Sequence, residues 1–285
     1  MTDPGFIDHA QPLDADARAT LFTGALLVRR QSPPMARLVE HLGHMAANAF
    51  HPHDPLVAHD SYDTDAYLTR LKALRAAVRQ DTGVASLFQK LLVDLGADLE
   101  DTFSDRLNLR LVPPNAEYQG RPADPLAPHR DTWGSNVMAQ LNLWAPLAPV
   151  DADATMAIFP GRWARPTDND SAGWDLEALR RDRAGYPRLP VATGGIDDDP
   201  LPVPIDPGDI LVFSGAHLHA SRMARTDGPA RVSFDFRVVM LSDVREGRGA
   251  PDIDGAAPNK APEWFTRPTD GLGLDTALKP LMLAP

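Results

Sequence analysis

At 285 residues, with 43% hydrophobic and 24% charged residues, the chain has material for one large domain or two small ones and for an ordinary buried core. Its 28 Lys and Arg against 39 Asp and Glu leave a net charge of −11, which repels nucleic-acid backbones and anionic lipid, so a small-molecule partner is expected and neither nucleic acid nor a membrane. The absence of Cys excludes disulfides, thiolate metal sites and thiol nucleophiles, so any metal must be held by His and carboxylate groups.

The N-terminal segment has no cationic start followed by an apolar stretch, and no run approaches the roughly 18 apolar residues of a membrane span, which predicts a cytoplasmic protein and leaves its oligomeric state open. The first hundred residues read as helical. Ser32-Pro33-Pro34 has the form of a cap with prolines in the first turn, and Met35, Leu38, Val39, Leu42, Met45 and Ala46 then recur at three-four spacing, predicting a helix to about Phe50. Tyr67, Leu68, Leu71, Leu74 and Val78 mark a second helix, and Val84, Leu87, Phe88, Leu91, Leu92 and Leu95 a third, ended by Gly96. From Arg106 the period drops to two, with Leu107, Leu109 and Leu111 alternating with polar residues before Pro113-Pro114.

Further predicted strands are Val137–Trp144, Met156–Phe159, Asp209–Phe213 and Arg231–Met240. They are interrupted by a short helix over Trp174–Arg183 and an acidic loop over Gly194–Pro200, and the Pro/Gly/Asp-rich tail after Gly247 reads as irregular. Short strands at irregular spacing suggest a barrel or jelly roll rather than a βαβ array. The expected organisation is one domain, mainly β, with a helical N-terminal layer over about 1–105, a β core over about 106–240 and an irregular tail over about 241–285.

Ala127-Pro128-His129-Arg130-Asp131 holds a His and an Asp two positions apart. In an extended chain both point to the same side, so an imidazole nitrogen and a carboxylate oxygen can meet one cation. A second histidine from elsewhere completes two-His-one-carboxylate coordination and leaves three positions open. Downstream, a turn at Pro207-Gly208, an apolar strand, and the pair His217 and His219 precede a strand on which Arg231 and Ser233 share a face. A guanidinium and a hydroxyl so placed can grip one carboxylate, while Val232, Phe234 and Phe236 take the opposite face. Other features read as structural. His41 and His44 have no marked carboxylate partner, His51, His53 and His59 lie in a Pro/Asp loop, and Asp197-Asp198-Asp199 lacks the spacing of a calcium loop. No phosphate loop or nucleophile elbow is present.

His-x-Asp, a distal His and Arg-x-Ser in this order, with the strings HRDTWGS, QLNLWAPL, FPGRW and GDILVFSGAHLHAS, resemble the iron(II)/2-oxoglutarate dioxygenases and among them the phytanoyl-CoA-dioxygenase-like branch, over roughly residues 107–240. The resemblance implies a double-stranded β-helix, a cupin-like jelly roll, with Fe(II) held by His129, Asp131 and His219 near one open end. It implies 2-oxoglutarate as co-substrate, its far carboxylate on Arg231 with Ser233 assisting, and O2 consumed with release of succinate and CO2. His219 is preferred to His217 because the family's ligand is usually followed by a small and then a polar residue, as in His219-Ala220-Ser221. His217 stays in reserve as ligand, substrate contact or packed imidazole. Asn142 and Trp144, on the face that the family pattern turns inward, are candidates to line the cofactor pocket, or else a satisfied amide and a core aromatic. Trp133 and Arg162 are candidate substrate contacts, with surface solvation the more ordinary role for Arg162. Halogenating relatives replace the ligand carboxylate with a small residue, so Asp131 points to hydroxylation of a small-molecule substrate. The rival readings are a cupin-like metal enzyme that does not use 2-oxoglutarate and a non-catalytic jelly-roll binding protein.

Overall fold

The computed structural model describes residues 5–118, 123, 125–182, 189–258 and 260–282. In chain order its elements are β1 (Phe6–Asp8), α1 (Ala15–Leu21), β2 (Leu26–Arg29), α2 (Pro33–Phe50), α3 (Thr64–Gln80), α4 (Thr82–Asp94), β3 (Thr102–Ser104) and β4 (Asn108–Val112). There follow α5 (Thr132–Ser135), β5 (Leu141–Pro146), β6 (Ala154–Ile158), α6 (Leu176–Arg181), β7 (Leu201–Pro202), β8 (Ile210–Ser214), β9 (His219–Met223), β10 (Arg231–Met240), α7 (Leu241–Arg245) and α8 (Leu274–Met282).

The long helices begin where their caps dictate. Ser32 Oγ accepts the Met35 N–H (3.3 Å), Asp63 the Ala66 N–H (2.8 Å) and Asp81 the Val84 N–H (2.8 Å), each cap worth about 1 kcal/mol. Gly96 follows α4 at φ +84°, a conformation that a Cβ would strain. Of the predicted apolar stripes, Met35, Leu38, Leu42 and Ala46 on α2 and Tyr67, Leu71, Leu74 and Val78 on α3 are buried, while Val39, Met45 and Leu68 beside them are half-buried.

A seven-stranded sheet runs β1-β2-β8-β5-β10-β3, with β4 also paired to β10, and a three-stranded sheet runs β7-β6-β9. Alternation splits the large sheet into two faces. Leu109, Leu111, Leu141, Leu143, Ile210, Val212, Val232, Phe234 and Phe236 join the core built with α2, α3 and α4. On the other face Leu26, Val28, Trp144, Leu211 and Phe213 pack on Met156 and Ile158 of the small sheet. The two sheets therefore meet across their own apolar core, and the polar residues of β4, β5 and β10 are carried on this inner face.

Several boundaries differ from the sequence reading. The first hundred residues are not a purely helical layer, because β1 and β2 extend the large sheet and β3 pairs β10. In β2, Leu27 faces the helices while Leu26 and Val28 face the second sheet, so three consecutive buried residues in a four-residue strand leave no period to read. The tail contains α7 and α8 rather than irregular chain alone. The strand predicted from Val137 starts at Leu141, because Asn136 sits at φ +51° and the Gln140 N–H closes a turn on Val137 O. The helix predicted over Trp174–Arg183 is Leu176–Arg181, Arg183 lying outside the described residues. Among the described residues no helix is long and apolar enough to cross a membrane.

Candidate metal centre

His129 and His219 face each other across an isolated antiparallel bridge, His129 N–H to His219 O at 2.9 Å and the reverse at 3.0 Å. Asp131 lies at the start of α5 in helical conformation, φ −63° and ψ −30°. The i,i+2 pair thus converges through a bridge followed by a helical turn, not through an extended strand. His129 Nε2 is 3.4 Å from Asp131 Oδ1, the two imidazole centroids are 4.2 Å apart, and one donor atom from each of the three residues lies within 4.8 Å of the others.

Each imidazole turns Nδ1 to a backbone carbonyl, His129 to Ala127 O (2.7 Å) and His219 to His217 O (3.0 Å). A carbonyl only accepts, so Nδ1 carries the hydrogen and Nε2 presents its lone pair to the centre. His129 Nε2 is buried and has no hydrogen-bond partner. Two neutral imidazole nitrogens and one carboxylate oxygen form the donor set of a two-His-one-carboxylate site, so these residues could hold a metal ion.

The carboxylate is fixed through its far oxygen. Asp131 Oδ2 accepts from Arg237 Nε (2.7 Å), Asn142 Nδ2 (2.7 Å) and Gln140 Nε2 (3.3 Å), while Oδ1 lies toward His129 and takes only a longer bond from Arg237 Nη2 (3.4 Å). Burial opposes its charge, but Arg237 and the two histidines hold Asp131 well below the usual carboxylate range. Asn142 and Arg237 are register partners on β5 and β10. Arg237 also contacts Asp105 (2.8 Å) and Asp235 (3.6 Å), and Asp235 pairs with Arg110. A Cβ on Gly215 would fall 2.9 Å from Gln140 Nε2, so the close approach of this amide needs glycine there.

Between the two candidate ligands, Arg130 is buried against Asp254, Nε to Oδ2 at 3.0 Å, and donates to Ala216 O and Arg162 O. Trp133 Nε1 donates to the other Asp254 oxygen at 2.7 Å, and Thr167 N–H to Oδ2 at 3.0 Å. Trp133 is wholly buried and lines neither cavity at the centre. The Arg162 side chain pairs with Asp198 of the acidic loop, and only its carbonyl touches this network. Neither residue is brought to the centre as a substrate contact. Asp254→Ala is expected to cost about 3 kcal/mol in urea denaturation, because it strands a buried guanidinium on carbonyl acceptors alone. Asp254→Asn should cost less, and an Ala variant as stable as wild type would show that the pair contributes nothing net.

A narrow cavity between the sheets joins the centre to Arg231, lined on the way by Asn142, Trp144, Met156 and Phe213. Arg231 is 3% exposed; Nη1 donates to Thr155 O (2.6 Å) and Nη2 to Ser221 Oγ (3.0 Å), while Nε has no partner. Among the described residues it forms no ion pair, and burial with the nearby Arg110 charge pushes it down to about 9. Ser233 lies two residues along the same strand, but its buried Oγ is unpartnered, and Ser221 takes the place beside Arg231.

His217 faces away from the centre. Nδ1 meets Ser214 O and Nε2 meets Gly24 O, both at 3.2 Å, and the ring lies 4.4 Å from Trp163. Burial pushes His217 down to about 4 and, with the neighbouring His129 imidazole, His219 down to about 3, from the ordinary 6.5. Below 6.5 the unfolded chain then binds protons that the folded chain refuses, so their stabilising contribution is complete above about 6.5 and is lost as pH falls toward those values. Asp105, which burial raises from 3.8 to about 6 against the pull of Arg237, has the opposite sign between those values and offsets part of this loss. The urea midpoint of the metal-free chain should therefore fall from pH 7 to pH 4.5. His217→Gln should flatten that slope, and an unchanged slope would remove His217 from the account.

Comparison with protein-family models and with curated proteins returns no match. Among solved structures, EvdO2 from Micromonospora carbonacea var. aurantiaca is 13% identical at TM-score 0.45, over 82% of this chain and 94% of that one. The epimerase SnoN, solved with Fe3+, alpha ketoglutarate and nogalamycin RO, is 15% identical at TM-score 0.43, over 88% and 98%. EvdMO1 is 19% identical at TM-score 0.33, over 56% of this chain, which spans only 31% of its length.

Proposed function

We propose that this chain is a mononuclear iron(II) oxygenase of the phytanoyl-CoA-dioxygenase-like branch that consumes 2-oxoglutarate and O2 and hydroxylates a small-molecule substrate. Succinate and CO2 would be the co-products. In this reading the chain is one cytoplasmic domain whose two sheets form a double-stranded β-helix. His129, Asp131 and His219 would hold the iron, and Arg231 the far carboxylate of 2-oxoglutarate. One juxtaposition carries the reading: a buried His-Asp-His donor set shares a cavity with a buried guanidinium that has no carboxylate partner among the described residues. A dicarboxylate spanning the two would neutralise Arg231 and supply an acceptor for its Nε, relieving the cost of a lone buried cation.

Iron with 2-oxoglutarate supplies activation of O2 and oxidation of an unactivated C–H bond. The chain's own groups do the positioning. Arg237, Asn142 and Gln140 keep Asp131 anionic and aimed by one oxygen, and Trp144, Met156 and Phe213 exclude water from the inner cavity. Asp131 supports hydroxylation over halogenation, because it fills the position a halide would need. A metal enzyme without 2-oxoglutarate, or a ligand-binding jelly roll, leaves Arg231 buried without a role.

Anaerobic titration with Fe(II) and 2-oxoglutarate tests the reading. A visible charge-transfer absorption should appear only when both are present, and admission of air should release succinate. With no such band and no succinate, the proposal is rejected.

A further inference from the structure

Arg237 lies at a gap in the sheet. Along β10, β4 pairs as far as Asp235 and β3 resumes at Val238, so neither of these strands has a register partner for Arg237. Asp105, in the link between β3 and β4, fills the gap. Its N–H donates to Arg237 O at 3.0 Å, and its carboxylate holds Arg237 twice: Oδ1 accepts the backbone N–H at 2.7 Å and Oδ2 accepts Nη1 at 2.8 Å. Arg237 is thereby fixed at both ends, with Nε turned to Asp131 at 2.7 Å. Satisfying the strand needs only a neutral acceptor for that N–H, which an asparagine or a serine would supply. A carboxylate is harder to keep here, because its side chain is 15% exposed and burial raises Asp105 to about 6 against the pull of Arg237. The charge is therefore explained by the guanidinium, not by the strand.

Resting on the reading of His129, Asp131 and His219 as a metal centre, we infer that Asp105 is a positioning residue for the metal, acting through Arg237. It does two things. It holds the guanidinium in the orientation that presents Nε to Asp131 Oδ2, and it cancels part of the positive charge that Arg237 brings beside the ligand carboxylate. Asp235, 3.6 Å from Nη1, adds to the second effect but is itself paired with Arg110. A divalent ion must bind in a field that Arg237 makes less favourable, since charges in a buried site are weakly screened. Asp105 offsets that repulsion across a single guanidinium. Without its charge, Asp131 would be drawn further onto Arg237 and become a poorer donor to the ion.

The test titrates the full chain, metal-free and under anaerobic conditions, with Co(II), read by the visible absorption of the bound ion. Asp105→Asn keeps an acceptor for the Arg237 N–H but loses the charge. It should weaken Co(II) binding by roughly tenfold, the lower end of the loss expected for partners of a metal ligand, and shift the visible bands. In an Arg237→Met background the same substitution should change the affinity by less than about twofold and leave the bands in place, because the group it acts through is gone. Asp105→Ser carries the same pair of expectations should the Asn variant fail to fold. An Asn variant with wild-type affinity overturns the inference. So does a loss that persists undiminished without Arg237, which would mark Asp105 as structural alone. Wild type that binds no Co(II) would refute the metal reading and the inference with it. Because Co(II) binding replaces turnover as the readout, failure of succinate release refutes the oxygenase reading alone.

Discussion

Arg231→Met is expected to weaken 2-oxoglutarate binding by roughly 100-fold or more, the loss expected of a buried bidentate ion pair, and to leave Fe(II) affinity within about twofold of wild type. The guanidinium is buried, is satisfied among the described residues only by Thr155 O and Ser221 Oγ, and is pushed down to about 9 by burial and Arg110. Such a cation costs stability until an anion arrives. A second outcome follows that ordinary core damage would not produce. Without 2-oxoglutarate the Met variant should melt no lower than wild type, since an apolar chain of similar length replaces an uncompensated charge. With Mn(II) and 2-oxoglutarate, wild type should gain thermal stability by mass action and the variant should gain little. A variant with unchanged 2-oxoglutarate affinity would take Arg231 out of the co-substrate site.

What could be read from the sequence was local. The helices α2, α3 and α4 were legible because their apolar stripes, the Ser32 cap of α2 and the Gly96 terminator of α4 each lie within one segment of chain. Strand β10 was legible because ten residues alternate, and its bounds are those predicted, Arg231–Met240. Strand β2 was hidden by burial on both faces, and α8 by the Pro, Gly and Asp that surround it. The motif spacing brought His129, Asp131 and His219 under suspicion together, and the structure places them together with His217 turned outward. What holds them was not visible. Arg237 reaches Asp131 across 106 positions and Arg130 reaches Asp254 across 124, and no local pattern marks such pairs. One signal existed for Arg237: extending the Arg231, Ser233 alternation two more steps places Asp235 and Arg237 on the same inner face. Gln140 shared a like signal, two residues before Asn142 on the face turned inward, whereas for Ser221 and Asp254 there was none, because their roles depend on which strands and loops become neighbours. Trp133 and Arg162 show the converse, residue types suited to binding that are spent on packing and on an ion pair with Asp198.

The largest effect is expected at Asp131. Asp131→Gly should lower Fe(II) affinity by at least roughly 100-fold, since it removes the only anionic donor and leaves two neutral imidazoles. It also leaves Arg237 Nε, Asn142 Nδ2 and Gln140 Nε2 converging on the place of the lost Oδ2, three donors around a space that can take a small anion. Chloride at high concentration should therefore restore part of the lost Fe(II) affinity in Asp131→Gly, by supplying charge where the carboxylate stood, while wild type shows no chloride dependence beyond ordinary screening. Succinate release should not recover in parallel, because a halide held by Arg237 does not fix the geometry that the covalently attached carboxylate imposes. Anaerobic Fe(II) titrations in chloride and in acetate, run on both proteins, read this directly. Wild-type Fe(II) affinity in Asp131→Gly would mean that Asp131 is not a ligand, and chloride rescue that persists after Arg237→Met would mean that the converging donors are not what binds the anion.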